Sequence, residues 1–72
     1  MPSWKDLRRF CVNDGWELYK ATDHDYFRKY DANGNIRQTR VSRNPGEIYG
    51  TLWNEILKKQ LQVPIEYFNS KI

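Results

Sequence analysis

The chain has 72 residues, with 12 Lys and Arg against nine Asp and Glu, a net charge of +3 and a hydrophobic share of 39%. That length predicts one small domain over residues 1–72 and excludes a multidomain enzyme with separate binding and catalytic modules. One Cys and one His exclude an intramolecular disulfide framework and leave too few soft ligands for a closed zinc site, so no metal or cofactor is expected. The core is thin by composition, and 11 aromatic residues offset this, since each Trp, Tyr or Phe buries about 150–250 Å². No apolar run is long enough to cross a bilayer, and Met1 to Arg9 lacks the hydrophobic stretch of a secretory signal. Together with the unpaired Cys11 this predicts a cytoplasmic protein with no membrane partner. The pI of about 9.2 is a mild bias toward polyanions.

Ser3 and Asp6 have the spacing of a capping box, and Trp4, Leu7, Phe10 and Cys11 recur at helical intervals until Asn13-Asp14-Gly15 supplies a stop. A first helix is therefore predicted from Trp4 to Asn13. From Trp16 the period changes. Trp16-Glu17-Leu18-Tyr19 alternates, and Asp25 to Tyr30 is rich in aromatic strand formers, giving two strands around a turn near Thr22-Asp23. Asn33-Gly34 is a pair favoured in type I′ hairpin turns, and a third strand follows from Ile36 to Ser42. With a two-residue loop, Tyr26 would face Val41, Arg28 would face Thr39 and His24 would face Arg43; a bulge would change this pairing.

After Asn44-Pro45-Gly46, the residues Leu52, Trp53, Ile56, Leu57 and Leu61 form an apolar stripe that predicts a helix from about Thr51 to Leu61. Glu55 precedes Lys59 by four, the favourable order for an ion pair, and Lys58 and Lys59 suit the helix dipole. Pro64 starts a short third helix with Ile65 and Phe68 on one face, too short to be stable without docking. The predicted class is α+β: a helix, a three-stranded antiparallel sheet, a helix and a short C-terminal helix. Trp4, Phe10, Trp16, Trp53, Ile56 and Leu57 are assigned to the core, with Cys11 as a small buried apolar residue.

Arg28, Lys29, Arg37, Arg40 and Arg43 place five of the basic residues on the hairpin and its exit, with Tyr26 and Tyr30 interleaved. Stacking rings beside phosphate-binding cations are what an RNA surface uses. A hydrated sheet face whose Arg stems cover Tyr rings has the same sequence pattern. Gly50 and Thr51 either direct amides of the second helix at a phosphate or serve as an N-cap.

Several segments also resemble the HicA toxin family. They are Gly15-Trp16-Glu17-Leu18 closing the first helix, His24 within Thr22-Asp23-His24-Asp25-Tyr26-Phe27-Arg28, and Gly46-Glu47-Ile48-Tyr49-Gly50-Thr51-Leu52 leading into Ile56-Leu57-Lys58. The resemblance runs from about Lys5 to Phe68. It implies a fold like that of double-stranded-RNA-binding domains, cleavage of mRNA that inhibits translation, and neutralisation by a HicB-like antitoxin. It also implies that His24 is the catalytic residue. In the family a Gly-Ser or Gly-Gly pair usually precedes that His, whereas this chain has Thr22-Asp23.

Metal-free RNA cleavage needs a base for the 2′-OH proton, an acid for the leaving 5′-oxygen, and cations for the phosphate. His24 supplies one of the first two, and Arg43, Lys20, Arg28 and Tyr26 are the candidates for the other. By alternation Asp23 and Asp25 point away from His24 and fix the turn. Lys20, Arg28, Lys29, Arg37, Arg40, Arg43 and Tyr26 are the expected RNA-binding set. The expected partners are mRNA and a HicB-like antitoxin, in a homodimer or a toxin–antitoxin hetero-oligomer. Two other readings stand beside this one: a non-catalytic RNA-binding module of the same fold, and a small protein-interaction domain.

Overall fold

In the computed structural model, which describes residues 2–72, Ser3 and Asp6 open the first helix by capping each other. The Asp6 amide donates to Ser3 Oγ at 3.1 Å and the Ser3 amide donates to Asp6 Oδ2 at 3.0 Å, satisfying two donors that a helix start otherwise leaves unpaired. Helix α1 runs Trp4–Asn13. It ends in a Schellman motif, with the Gly15 amide donating to Val12 O at 3.4 Å and the Trp16 amide to Cys11 O at 2.9 Å. Gly15 takes φ 78°, where a Cβ would crowd the backbone.

Three antiparallel strands follow, β1 (Glu17–Ala21), β2 (Asp25–Tyr30) and β3 (Ile36–Val41), in the order β1-β2-β3. The first begins one residue later than the alternation predicts, because Trp16 turns inward and donates its indole N–H to Asp14 Oδ2 at 3.0 Å. A bulge between Leu18 and Lys20 inserts Tyr19 into β1.

The predicted β2–β3 register is off by one. Asp25 pairs with Val41, Tyr26 with Arg40, Phe27 with Thr39 and Arg28 with Gln38. The cause is the loop. Asp31 and Asn35 close it, with the Asp31 amide donating to Asn35 O at 2.8 Å and the Gly34 amide to Asp31 O at 3.0 Å. Only Gly34 has positive φ there, at 84°, so this is a three-residue loop in which a type I turn is followed by a left-handed Gly. Asp31 Oδ1 accepts from the Asn33 and Asn35 amides, both at 2.9 Å, and stabilises that choice. The pairing of His24 with Arg43 is consequently not formed.

The second helical region starts as α2 (Gly50–Glu55) and continues as a π-helical segment, Ile56–Leu61. Bonding to the fifth residue along brings positions five apart nearly into line. Ile56 and Leu61 are accordingly both buried, with Leu57 beside them. The predicted ion pair between Glu55 and Lys59 is absent among the described residues. Gln62 ends the segment in the left-handed region, at φ 58° and ψ 44°.

Helix α3 (Ile65–Ser70) docks through Phe68, which stacks on Phe10 at 5.0 Å between centroids and meets Trp53 edge-on at 4.7 Å. Around this aromatic centre lie Leu7, Cys11, Trp16, Phe27, Val41, Ile48, Ile56, Leu57 and Leu61, with Trp4 partly buried against them. Two residues from the predicted apolar faces lie outside the core, Leu52 and Ile65, both substantially exposed. No helix among the described residues is long and apolar enough to cross a membrane.

Candidate nucleic-acid interface

Alternation along the sheet separates the predicted binding residues into two groups. Asp25, Phe27 and Lys29 of β2 face the helices. Phe27 is in the core, Asp25 meets Arg8 of α1, and Lys29 reaches Asp14 at the end of α1. Tyr26 and Arg28 therefore project from the opposite face, and Tyr26 lies directly across from Arg40. The bulge adds Tyr19 to this face, with its ring centroid 6.2 Å from that of Tyr26. Lys20 Nζ lies 5.2 Å from the Tyr26 centroid, and the Arg28 guanidinium lies 5.0 Å from that of Tyr19.

Three cations and two aromatic rings are thus interleaved on one surface. Cation–π contacts hold the rings and charges in register, and the same groups offer stacking faces and phosphate donors to a single strand. Arg28 is also tied to Glu17, with Nε donating to Oε1 at 2.6 Å, which raises the guanidinium pKa further. Arg40 makes no ion pair among the described residues. A cavity of about 410 Å³ connects Tyr19, Tyr26 and Arg40 with Trp4, Leu52 and Gln60.

The other predicted RNA-binding cations have structural partners. Lys29 Nζ donates to Asp14 O at 2.8 Å and to Asp14 Oδ2 at 3.0 Å. Arg37 sits on the helix side, its Nη1 donating to Leu61 O at 3.3 Å and its Nη2 3.9 Å from Asp31. Beside it Thr39 donates to Gln60 Oε1 at 2.8 Å. Arg43 Nη2 donates to Asp25 Oδ1 at 2.8 Å, while Arg8 Nη2 and Nε donate to Oδ2 of the same carboxylate at 2.6 and 3.2 Å. The Arg43 hydrogen bond is the largest influence on Asp25. Burial opposes it and Arg8 reinforces it, and the carboxyl is held below the usual range.

His24 closes the β1–β2 turn immediately before Asp25, half-buried, with its carbonyl accepting from the Thr22 amide at 3.2 Å. Its Nδ1 is buried and hydrogen-bonded to no described residue. The Asp25 carboxylate is turned to the two arginines, so neither it nor exposed Asp23 bonds the imidazole. Gly50 and Thr51 are the first two residues of α2. The cap position belongs to Tyr49, which supplies no side-chain hydrogen bond, so the N-cap role expected of the pair is not theirs.

Cys11 is fully buried, and burial pushes its thiol up to about 12, with Asp14 adding to the rise and Arg8 opposing it. A thiol so rarely ionised is a packing residue. Two contributors escaped sequence reasoning, Tyr19 and Arg8. Tyr19 reaches the open face through a bulge that has no sequence signature, and Arg8 meets Asp25 across 17 positions of chain.

No family model, curated protein or solved structure matches the chain.

Proposed function

We propose that this protein is a HicA-like toxin, an endoribonuclease that cleaves mRNA without a metal ion and is neutralised by a HicB-like antitoxin covering His24. The observation that supports this most is the interleaved face of Tyr19, Lys20, Tyr26 and Arg28, on the two strands joined by the turn that carries His24, with Arg40 of β3 directly across from Tyr26. In this reading the face holds the RNA strand by stacking and phosphate contact, while His24 transfers a proton in the step that breaks the backbone, a contribution of about 10²–10⁴-fold. Arg43, Lys20, Arg28 and Tyr26 are the candidates for the second proton-transfer or charge-stabilising group.

The test is incubation of wild-type and His24→Ala protein with a long mRNA in EDTA, followed by fragment analysis. Cleavage by the wild type alone is the expected result. Equal cleavage by both proteins overturns the role of His24.

A second reading, a module of the same fold that binds RNA without cutting it, is favoured by one feature of the turn. Catalytic imidazoles are ordinarily oriented by a hydrogen-bonded partner, and His24 Nδ1 has none among the described residues. Salt-sensitive retention of intact RNA by both proteins would establish that reading instead.

A further inference from the structure

Asp25 is shared by two guanidiniums, and a single carboxylate neutralises only one of them. Arg8 uses its Nε and Nη2 on Asp25 and Arg43 uses one Nη2, so most of the five N–H donors on each fork remain unspent. The two side chains are partly open, at 36% and 50%, over an Asp25 side chain at 13%. Both line a cavity of about 220 Å³ together with Ser3, Lys5, Asn44 and Pro45. Lys5 stands three residues before Arg8, which brings both to one side of α1, and it has no ion-pair partner among the described residues.

The walls of this cavity are held in place by backbone. The Trp4 amide donates to Gly46 O at 3.3 Å and the Ile48 amide to Pro2 O at 2.9 Å, which ties the start of α1 to the segment after β3. The Asn44 amide donates to Ser42 Oγ at 3.2 Å. Of the nearby acids, Asp6 is engaged with the Ser3 amide, and Glu47 is exposed on the strand bridge opposite Ser3. Three cations therefore line the cavity, and the one carboxylate that two of them share, Asp25, lies outside the lining and is already bonded on both oxygens.

We propose that Lys5, Arg8 and Arg43 form a phosphate-binding pocket, with Asp25 as the positioning residue that fixes the two guanidinium forks before the ligand arrives. Fixed forks favour phosphate because their donors need no reorganisation on binding. Asp25 directly follows His24 in the chain, so the pocket and that imidazole share one end of the sheet. Assigning the pocket to a backbone phosphate of RNA rests on the proposed function; a free phosphate has the same chemistry.

The test uses the full chain carrying His24→Ala, so that cleavage does not enter. Inorganic phosphate is titrated into isotope-labelled protein while the Arg8 and Arg43 Nε–H and Asn44 amide signals are followed by NMR. In parallel, binding of a short single-stranded RNA is measured against salt for Lys5→Gln, Arg43→Gln and, as a distant control, Lys58→Gln. Lys5 makes no ion pair, so its variant tests the pocket even if Arg43→Gln is poorly folded.

Saturable shifts at both arginines are expected. The salt slope should fall by about 0.7 for each pocket cation removed, and the control should change it less. Shifts with phosphate but unchanged RNA slopes assign the pocket to free phosphate and overturn its placement on RNA. Absence of both effects overturns the pocket itself. If the wild type fails to cleave mRNA while the shifts persist, the ribonuclease reading falls and the pocket stands.

Discussion

Removing the Phe68 ring tests how far the last six-residue helix belongs to the fold. Phe68 is 1% exposed and touches two other rings, so Phe68→Ala deletes the centre of an aromatic cluster that rigid neighbours refill poorly. A buried Phe→Ala change costs about 3–5 kcal/mol. A domain of this length has a total stability of about 4–11 kcal/mol, at roughly 0.05–0.15 kcal/mol per residue. The variant is therefore expected to lose between about a quarter of its stability and all of it, with Tm falling by about 12–40 °C at roughly 4–8 °C per kcal/mol. Urea denaturation followed by Trp fluorescence measures this directly, since Trp53 lies edge-on to the deleted ring. Tyr67→Phe, which removes only the hydroxyl hydrogen bond to Asp14 Oδ1, should cost less. A loss below about 1 kcal/mol for Phe68→Ala at an unchanged m-value would refute the docking of α3.

Acid should unfold the protein partly through Asp14 and Asp25. Burial raises the Asp14 pKa, but hydrogen bonds from Tyr67, Lys29 and Trp16 outweigh it and leave the value lowered; Asp25 is lowered chiefly by Arg43. Folded-state values below the unfolded one of about 3.9 mean a contribution fully present above that pH and lost as pH falls through the folded values. Urea midpoints measured from pH 7 downward should show Asp14→Asn with a shallower acid decline than the wild type, and an equally steep decline would contradict the assignment. Gln62→Gly should raise stability by up to about 1 kcal/mol, because a left-handed backbone penalises a Cβ; a lower Tm would show that the Gln62 side-chain bond to Lys59 O matters more. Gly34→Ala should cost about 1–2 kcal/mol from backbone strain alone, since a Cβ there meets nothing within 4 Å. Cys11 should react with a thiol reagent only on unfolding, and rapid labelling of the native protein would refute its burial.

The first helix was legible in the sequence, because its signals are local: a Ser3–Asp6 capping box, a 3.6-residue apolar period and a Gly that stops it. The three strands, the turn around His24 and the burial of Phe10, Trp16 and Trp53 were legible for the same reason, since side-chain chemistry over a few neighbours decides them; the burial of Phe27 was not. The hairpin register was not, because Asn33-Gly34 suits a two-residue I′ turn as well as the three-residue loop that Asp31 stabilises through its carboxylate. Nor did a stripe containing Ile56, Leu57 and Leu61 distinguish an α-helix from the π-helical turn that lets all three bury against the rest of the core.

The candidate interface depended more heavily on tertiary structure. Sequence grouped Lys20, Arg28, Lys29, Arg37, Arg40 and Arg43 by charge. Strand alternation, the Tyr19 bulge and the covering helices then divided them, leaving Lys20, Arg28 and Arg40 on the open face and giving Lys29 and Arg37 to Asp14, Leu61 and Asp31. Arg8 and Arg43 meet on Asp25 from a helix and a loop far apart in the chain. The sequence by itself determined the elements and most of the residues able to enter the core, through local propensity and periodicity. Which cations point outward, and which acid holds them, was decided only when the chain closed, because ion pairing depends on distances that separation in sequence does not set.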